Sequence, residues 1–295
     1  MKTIFLTGVN GFIGKNIVEH FQDTYTIYAP SRTELDLLDE KAVLKYLTAH
    51  PVDVVVHTAN IGGKRNEQNP TDLEKKNMQM FENIVSTKKY FSRMIMLGSG
   101  AEYDKRNPIV LAKEEDAETA TPIDPYGAYK KKCAEIAGDV DFITHLRLFG
   151  VFGPHEDFRV RFISNNICRA LLDMPLSLRQ NVQFDYVYID DFIKILRWFL
   201  EQEHTQYKHY NVCTGTPIDL VSLANVIKRV SGKDIEIQVG NDGMGREYTG
   251  NNDRLMAEMG DFQLTSTEKS VRELYEWYEE RIEKVDREEL LFDKA

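Results

Sequence analysis

Thr7-Gly8-Val9-Asn10-Gly11-Phe12-Ile13-Gly14 is the stretch that decides the fold. It follows a short β-branched and apolar run, residues 3–6, and opens an amphipathic stretch over residues 12–21, so it sits at a strand-to-helix turn. The first glycine permits a tight turn, the middle one lets backbone approach a pyrophosphate, and the last lets helix and strand pack closely. The helix N-terminus adds N–H donors and partial positive charge. The stretch therefore reads as a dinucleotide-binding loop made by Gly8, Asn10, Gly11, Phe12, Ile13 and Gly14.

Outward from that loop, apolar runs at residues 26–29, 53–57, 94–97 and 142–148 alternate with helical patterns at 40–50, 72–89 and 126–140. This alternation predicts an α/β fold, a Rossmann-type doubly wound parallel sheet. After Gly153-Pro154 the rhythm changes: helices at 162–172, 190–201 and 220–230, strands at 186–188, 207–212 and 235–239, and a terminal amphipathic helix from 267 with a fraying tail. The expected division is a dinucleotide-binding domain over residues 1–155, to which 181–203 return, and a smaller α/β substrate lobe from 156–180 and 204–295.

A chain of 295 residues is long enough for two lobes, and its 42% hydrophobic and 28% charged residues exclude a largely disordered protein. The net charge of −10, with lysines and arginines dispersed, argues against nucleic acid as a partner. Any phosphorylated ligand must then be met by local donors. Cys133, Cys168 and Cys213 are far apart, with neither a CxxC pair nor a zinc spacing, so no metal site or disulfide framework is expected and a reducing cytoplasm fits. The apolar run before Gly8 is too short for a signal peptide or a membrane span, and the one near 193–200 carries Lys194 and Arg197, so no membrane association is expected.

The second strand ends in Tyr28-Ala29-Pro30-Ser31-Arg32-Thr33. An acid at that tip would bond the adenine ribose hydroxyls, whereas an arginine accommodates a 2'-phosphate, so Ser31 and Arg32 point to NADP(H) over NAD(H). Further along, Asp124-Pro125-Tyr126-Gly127-Ala128-Tyr129-Lys130 places Tyr126 and Lys130 one helical turn apart on one face. A free tyrosine titrates near ~10 and needs a neighbouring cation to act as a poised acid; Lys130 supplies it and can also hold the nicotinamide ribose. Ser99 follows Met94-Ile95-Met96-Leu97-Gly98 at the carboxyl edge of the sheet, where ligands bind in such folds.

The GxxGxxG spacing, together with Ser99, Tyr126 and Lys130, resembles the extended short-chain dehydrogenase/reductases, and within them the sugar-nucleotide epimerase/dehydratase branch. Further likeness lies in His57-Thr58-Ala59-Asn60, Arg147-Leu148-Phe149-Gly150-Val151-Phe152-Gly153-Pro154 and Phe184-Asp185-Tyr186-Val187-Tyr188-Ile189-Asp190-Asp191. Arg32-Thr33-Glu34-Leu35-Asp36-Leu37-Leu38-Asp39 and the stretch from Gly62-Gly63 to Asn77 resemble the GDP-L-fucose synthases. The resemblance implies an enzyme whose Ser99 and Tyr126 share one substrate oxygen. It implies cofactor contacts at Asp36, Leu37, Thr58, Ala59, Asn60 and Val151, and an Asn77 that braces the active-site backbone. It further implies a nucleotide-sugar substrate bordered by Lys64, Ser99, Phe162, Ile163, Arg179, Tyr186 and Arg246, and a homodimer formed through the helices at 72–89 and 126–140.

The departures give direction. GDP-L-fucose synthases carry a cysteine two residues after the serine and a histidine in the following lobe; Ala101 and Phe162 stand there. The 4,6-dehydratases carry an Asp-Glu pair just after the hydroxyl residue, at Gly100 and Ala101 here. Hydride transfer at one carbon survives, as in a reductase of a 4-keto or 4-keto-6-deoxy sugar nucleotide. A sugar-nucleotide epimerase stays open, either with His155, Glu156 or Glu102 to move a proton or as a 4-epimerase that oxidises and re-reduces one carbon with Ser99, Tyr126 and Lys130 alone, and so does a non-catalytic NADP(H)-binding sensor or scaffold. Gly150 replaces a frequent Asn, and Phe184 an Arg that faces the diphosphate in many relatives. That leaves Lys64, Arg159, Arg161, Arg179 and Arg246 as available cations.

Overall fold

A computed structural model of the chain describes residues 1–62 and 70–294. Six strands, β1 (Thr3–Thr7), β2 (Thr26–Tyr28), β3 (Val52–His57), β4 (Phe91–Ser99), β5 (Ile143–Leu148) and β6 (His209–Val212), form one sheet in the order β6-β5-β4-β3-β1-β2. All its pairings are parallel. Ile4, Leu6, Val54, Val56, Ile95 and Leu97 enter the core on one face; Phe5, Val55, Met94 and Met96 enter the other. Burial on both faces is why these strands read as continuous apolar runs.

Helix α1 (Phe12–Phe21) and the helix Ile189–Glu201 cover the first face, through residues such as Ile17, Phe21, Phe192 and Phe199. Helices α2 (Glu40–Ala49), α3 (Leu73–Val85) and α4 (Pro125–Asp139) cover the second, through Val43, Leu47, Phe81, Tyr129 and Cys133. Strand order reverses between β2 and β3 on either side of β1, which makes the carboxyl end of β1 and β3 the switch point where such sheets take ligands.

Two expectations change here. The strand at 209–212, placed by sequence in the lobe, pairs with β5 from His209 opposite His145 to Val212 opposite Leu148. Tyr210 and Val212 are fully buried in the first core, and Tyr210 packs edge-on against Phe199, so the chain returns to the main sheet to bury them. The tail beyond helix Thr267–Glu279 is pinned, not frayed: Leu290 is buried, and its carbonyl accepts from the Arg169 guanidinium at 3.0 Å.

The remaining strands are short. Gly150–Phe152 pairs with Tyr186–Tyr188, Leu176–Asn181 with Ile237–Met244, and Ile109–Ala112 joins Tyr248–Gly250, Gln183–Phe184 and Ile218–Asp219. The last group carries residues from late in the chain to the carboxyl edge of β4. Cys133, Cys168 and Cys213 are buried free thiols. Among the described residues no helix is long and apolar enough to cross a membrane.

Candidate active site

Gly8 turns the chain out of β1 with φ +74°, a left-handed value that disfavours any side chain, and a Cβ there would lie 2.6 Å from Thr58 Oγ1. A Cβ at Gly14 would lie 2.2 Å from the Gly8 carbonyl oxygen. Both glycines are thus demanded by close approach. Gly11 caps α1 with no side-chain hydrogen bond, so the first N–H groups of the helix remain available to an anion. Opposite, Thr7 Oγ1 accepts from the Thr58 and Ala59 N–H groups at 3.1 Å each, and Thr58 Oγ1 donates to the Thr7 carbonyl at 2.7 Å. Asn77 brackets Ile61, accepting from its N–H and donating to its carbonyl at 2.9 Å each.

These edges enclose a cavity of about 790 Å³. Gly8, Asn10, Gly11, Phe12, Ile13, Gly14, Ser31, Arg32, Asp36, Leu37, Thr58, Ala59, Asn60, Tyr126 and Lys130 all line it. Glu34, close to the strand tip, turns back to accept from the Ser31 N–H at 2.7 Å and does not line the cavity, whereas Arg32 and Asp36 do. Val151 does not line it either; it pairs with Val187 in the small sheet.

Ser99, Tyr126 and Lys130 are brought together by a glycine and a cap. Asp124 Oδ1 accepts from the Gly127 N–H at 2.8 Å with Pro125 opening the helix, and a Cβ at Gly127 would lie 2.3 Å from the Ala101 carbonyl oxygen. The start of α4 is therefore seated directly on the turn after Ser99, and the Tyr126 phenol meets the Ser99 side chain. Lys130 lies one turn further along and donates to the Leu97 carbonyl. Burial lowers its pKa to about 8. Burial also pushes the Tyr126 phenol up, against the Ser99 hydrogen bond and the charge of Arg161. The sequence points to Lys130 alone as the cation beside Tyr126; the fold adds Arg161.

Beneath Ser99 lies a fully buried carboxylate. Glu102 accepts from the Ser99 N–H at 2.9 Å and pairs with Arg147 at 2.5 Å and His145 at 3.2 Å. Burial alone would raise its pKa, but His145 and Arg147 together hold it at about 2. A Cβ at Gly98 would lie 2.2 Å from His145 Nε2, so this glycine makes room for the cluster. Glu102 is a support of the Ser99 backbone and does not line the cavity.

On the substrate side the predicted residues separate. Phe162 opens the helix Phe162–Leu171 and Ile163 is enclosed in the core, 1% exposed. Arg179 lies exposed on the strand Leu176–Asn181, and Arg246 donates to the Lys105 carbonyl at 3.2 Å. Tyr186 stacks on Phe184 with ring centres 5.0 Å apart. None of these five lines the cavity, nor does Ser99, which is reached past Gly98. Lys64 and Gly63 lie outside the described residues. The cavity wall is instead closed by Glu156, Asp157, Phe158, Arg159, Val160 and Arg161, with Glu289 from the tail. The sequence singles out Glu156, Arg159 and Arg161 by their charge, and gives no sign of Asp157, Phe158, Val160 or Glu289.

The departures at Gly150 and Phe184 belong to one aromatic layer. Phe184 lies against both Tyr186 and Tyr248, and Tyr248 against Phe149. A Cβ at Gly150 would lie 2.5 Å from the Asp185 carbonyl and 2.9 Å from the Tyr186 ring, so the glycine is what lets the layer close.

Residues 4–213 match a family model described as the NAD dependent epimerase/dehydratase family. Over 107 residues, 35% of either chain, the sequence is 37% identical to GDP-L-colitose synthase of Yersinia pseudotuberculosis. It is 25% identical to GDP-L-fucose synthase of Sinorhizobium fredii over 261 residues, covering 78% of this chain and 80% of that one. Among solved structures, GDP-mannoheptose C4 reductase from Campylobacter jejuni with NADP bound superimposes with a TM-score of 0.81 at 17% identity, covering 94% of this chain and 98% of that one.

Proposed function

The chain belongs to the NAD dependent epimerase/dehydratase family and is an enzyme of the short-chain dehydrogenase type, and from that premise we propose that it reduces the ketone of a nucleotide-linked 4-keto or 4-keto-6-deoxy sugar with NADP(H). The observation that carries this reading is that Tyr126, beside the Ser99 hydroxyl, and Lys130 one turn away both line the cavity that the glycine loop opens.

The residues present fit a dinucleotide. The close approaches at Gly8 and Gly14 and the open N-terminus of α1 suit a pyrophosphate, Ser31 and Arg32 a 2'-phosphate, and Lys130 a ribose. A nicotinamide cofactor, when bound, supplies the hydride of the reduction. The protein's part is the proton and the geometry. Ser99 holds the carbonyl oxygen of the substrate, and Tyr126, kept protonated at neutral pH by its burial, delivers its proton to that oxygen as the carbon becomes an alcohol carbon. Ala101, Gly100 and Phe162 move no proton, which disfavours dehydration and double epimerisation. Arg159 and Arg161 stand on the cavity wall to meet substrate phosphate where Phe184 cannot. That two relatives carry GDP-sugar names favours a GDP-sugar as the first substrate to try.

One observation favours an epimerase as second reading: Glu156 lines the cavity, and burial raises it to about 7, so it holds an exchangeable proton near neutral pH. A panel of 4-keto-6-deoxy and unmodified sugar nucleotides in deuterated water separates the two. The reductase consumes one NADPH per product and gains no carbon-bound solvent deuterium. Deuterium at a neighbouring carbon without net NADPH consumption supports the epimerase, and no turnover on any member overturns both. A cytoplasmic homodimer built on the faces of α3 and α4 completes the proposal; light scattering tests the assembly.

A further inference from the structure

Tyr248 comes from the end of the chain opposite to the glycine loop, yet its hydroxyl stands in the catalytic centre. A Cβ at Gly100, the residue after the serine, would lie 2.3 Å from Tyr248 Oη and 2.8 Å from Cζ. The Ser99 hydroxyl is near enough to lower the titration of both the Tyr248 and the Tyr126 phenols, and Tyr248 feels the charge of Tyr126. Its ring is fixed on two sides, by Phe149 at 5.2 Å and Phe184 at 5.0 Å between centres, and its backbone lies in register with Ile109 and Phe184. The hydroxyl thus occupies the space that a side chain at position 100 would fill.

We propose that Tyr248 is a positioning residue of the catalytic centre, whose O–H donates to Ser99 Oγ and thereby directs the Ser99 proton toward the oxygen shared with Tyr126. A hydroxyl has one proton and two acceptor sites. The Ala101 N–H takes one acceptor site of Ser99 Oγ at 3.1 Å. Tyr248 takes the other, and the serine proton is left for the substrate side. Burial pushes Tyr248 far above the usual phenol range, so it stays a donor throughout the working pH range. Gly100 is then required because any larger residue displaces the Tyr248 hydroxyl.

The kinetic arm of the test rests on the reductase reading; a spectroscopic arm does not. Tyr248→Phe keeps the ring packing and is expected to lower kcat about tenfold, the worth of one hydrogen bond in a dry site, with the NADPH Kd unchanged. In a Ser99→Ala background the same change is expected to cost less than about twofold, because a residue acting through Ser99 has nothing left to act on. Equal costs in the two backgrounds overturn the proposal, as does a fully active Tyr248→Phe. Gly100→Ala is expected to reproduce the Tyr248→Phe loss. In the apoprotein labelled with 13C at tyrosine Cζ, Tyr248→Phe is expected to move the Tyr126 resonance, and not to move it once Ser99 is alanine. A Tyr126 resonance that stays put in the Ser99 background overturns the proposal even if no sugar nucleotide turns over, whereas a moved resonance with no turnover sinks only the reductase reading.

Discussion

The two walls of the cavity are built from different materials. The cofactor wall is backbone: a glycine turn at 8–14, an uncapped helix end, and strand tips tied by Thr7 to Thr58 and Ala59. The opposite wall is side chains gathered from remote places, Arg161 from a helix start and Glu289 from the tail, and beyond it Tyr248 is wedged between Phe149 and Phe184. The family match ends at residue 213, so Tyr248 and Glu289 lie beyond it. A backbone-made site accepts the same group in many proteins, because every chain has the same N–H donors. A side-chain-made site is free to change its ligand, and next to this one Phe184 is packed between the Tyr186 and Tyr248 rings.

The comparison breaks most sharply at Tyr126, which lines the cavity and is the proposed proton donor. Tyr126→Phe is expected to lower kcat by about 10²- to 10⁴-fold while leaving NADPH affinity within about twofold, read by steady-state rates and fluorescence titration. A mutant with full turnover overturns the assignment of the transferred proton to Tyr126.

Glu156 probes the opposite wall through stability. Its folded pKa is raised to about 7 from the ordinary 4.5, chiefly by burial, with the Ser164 hydroxyl donating to it. Between those values the folded state holds a proton that the unfolded state has lost, so stability falls as pH rises through the window and the loss is complete above it. Glu156→Gln removes that slope. The mutant is expected to gain up to about 3 kcal/mol over wild type at pH 8 and little at pH 5, measured by denaturant unfolding at both values. Parallel pH curves for the two proteins would show that Glu156 is ionised in the fold.

The cofactor wall is tested by its glycines. Gly14→Ala places a Cβ 2.2 Å from the Gly8 carbonyl, so the turn must open. The expected result is a loss of about 1 to 3 kcal/mol of stability together with at least a ~10-fold weaker NADPH Kd. Ordinary affinity in this mutant would mean that the dinucleotide does not depend on the turn.

How much of this was legible follows from the same contrast. The strands over residues 3–7 and 52–57 are apolar on both faces, and the helix over residues 125–139 announces itself by Asp124 and Pro125, so sheet, loop and the Tyr126 to Lys130 spacing stand in local patterns. The strand Ile109–Ala112 does not, because it is short and Leu111 takes a φ of +42° that no pattern of residue types announces. Strand 209–212 was misplaced because only two of its residues face the core and nothing local says which sheet they join. Glu102 looks like any surface acid until Arg147 and His145 are folded over it. Tyr248 carries no signal at all, since its meaning is its distance from Ser99 and Gly100, which only tertiary structure sets.

The smallest expected effect lies at the rim of the cofactor wall, where an exposed side chain stands at its edge. Arg32 is exposed at the cavity edge beside Ser31, so its attraction for a 2'-phosphate is partly screened by solvent. Arg32→Ala is expected to weaken NADPH about tenfold and to leave NADH unchanged, measured by titration with both nucleotides at one ionic strength. Raising the salt concentration should shrink the wild-type preference toward that of the mutant, because a screened charge pair is what the preference consists of. A wild type that binds NADH more tightly than NADPH removes Arg32 from the cofactor wall altogether. The choice of nucleotide would then have to come from the turn that Glu34 closes on Ser31.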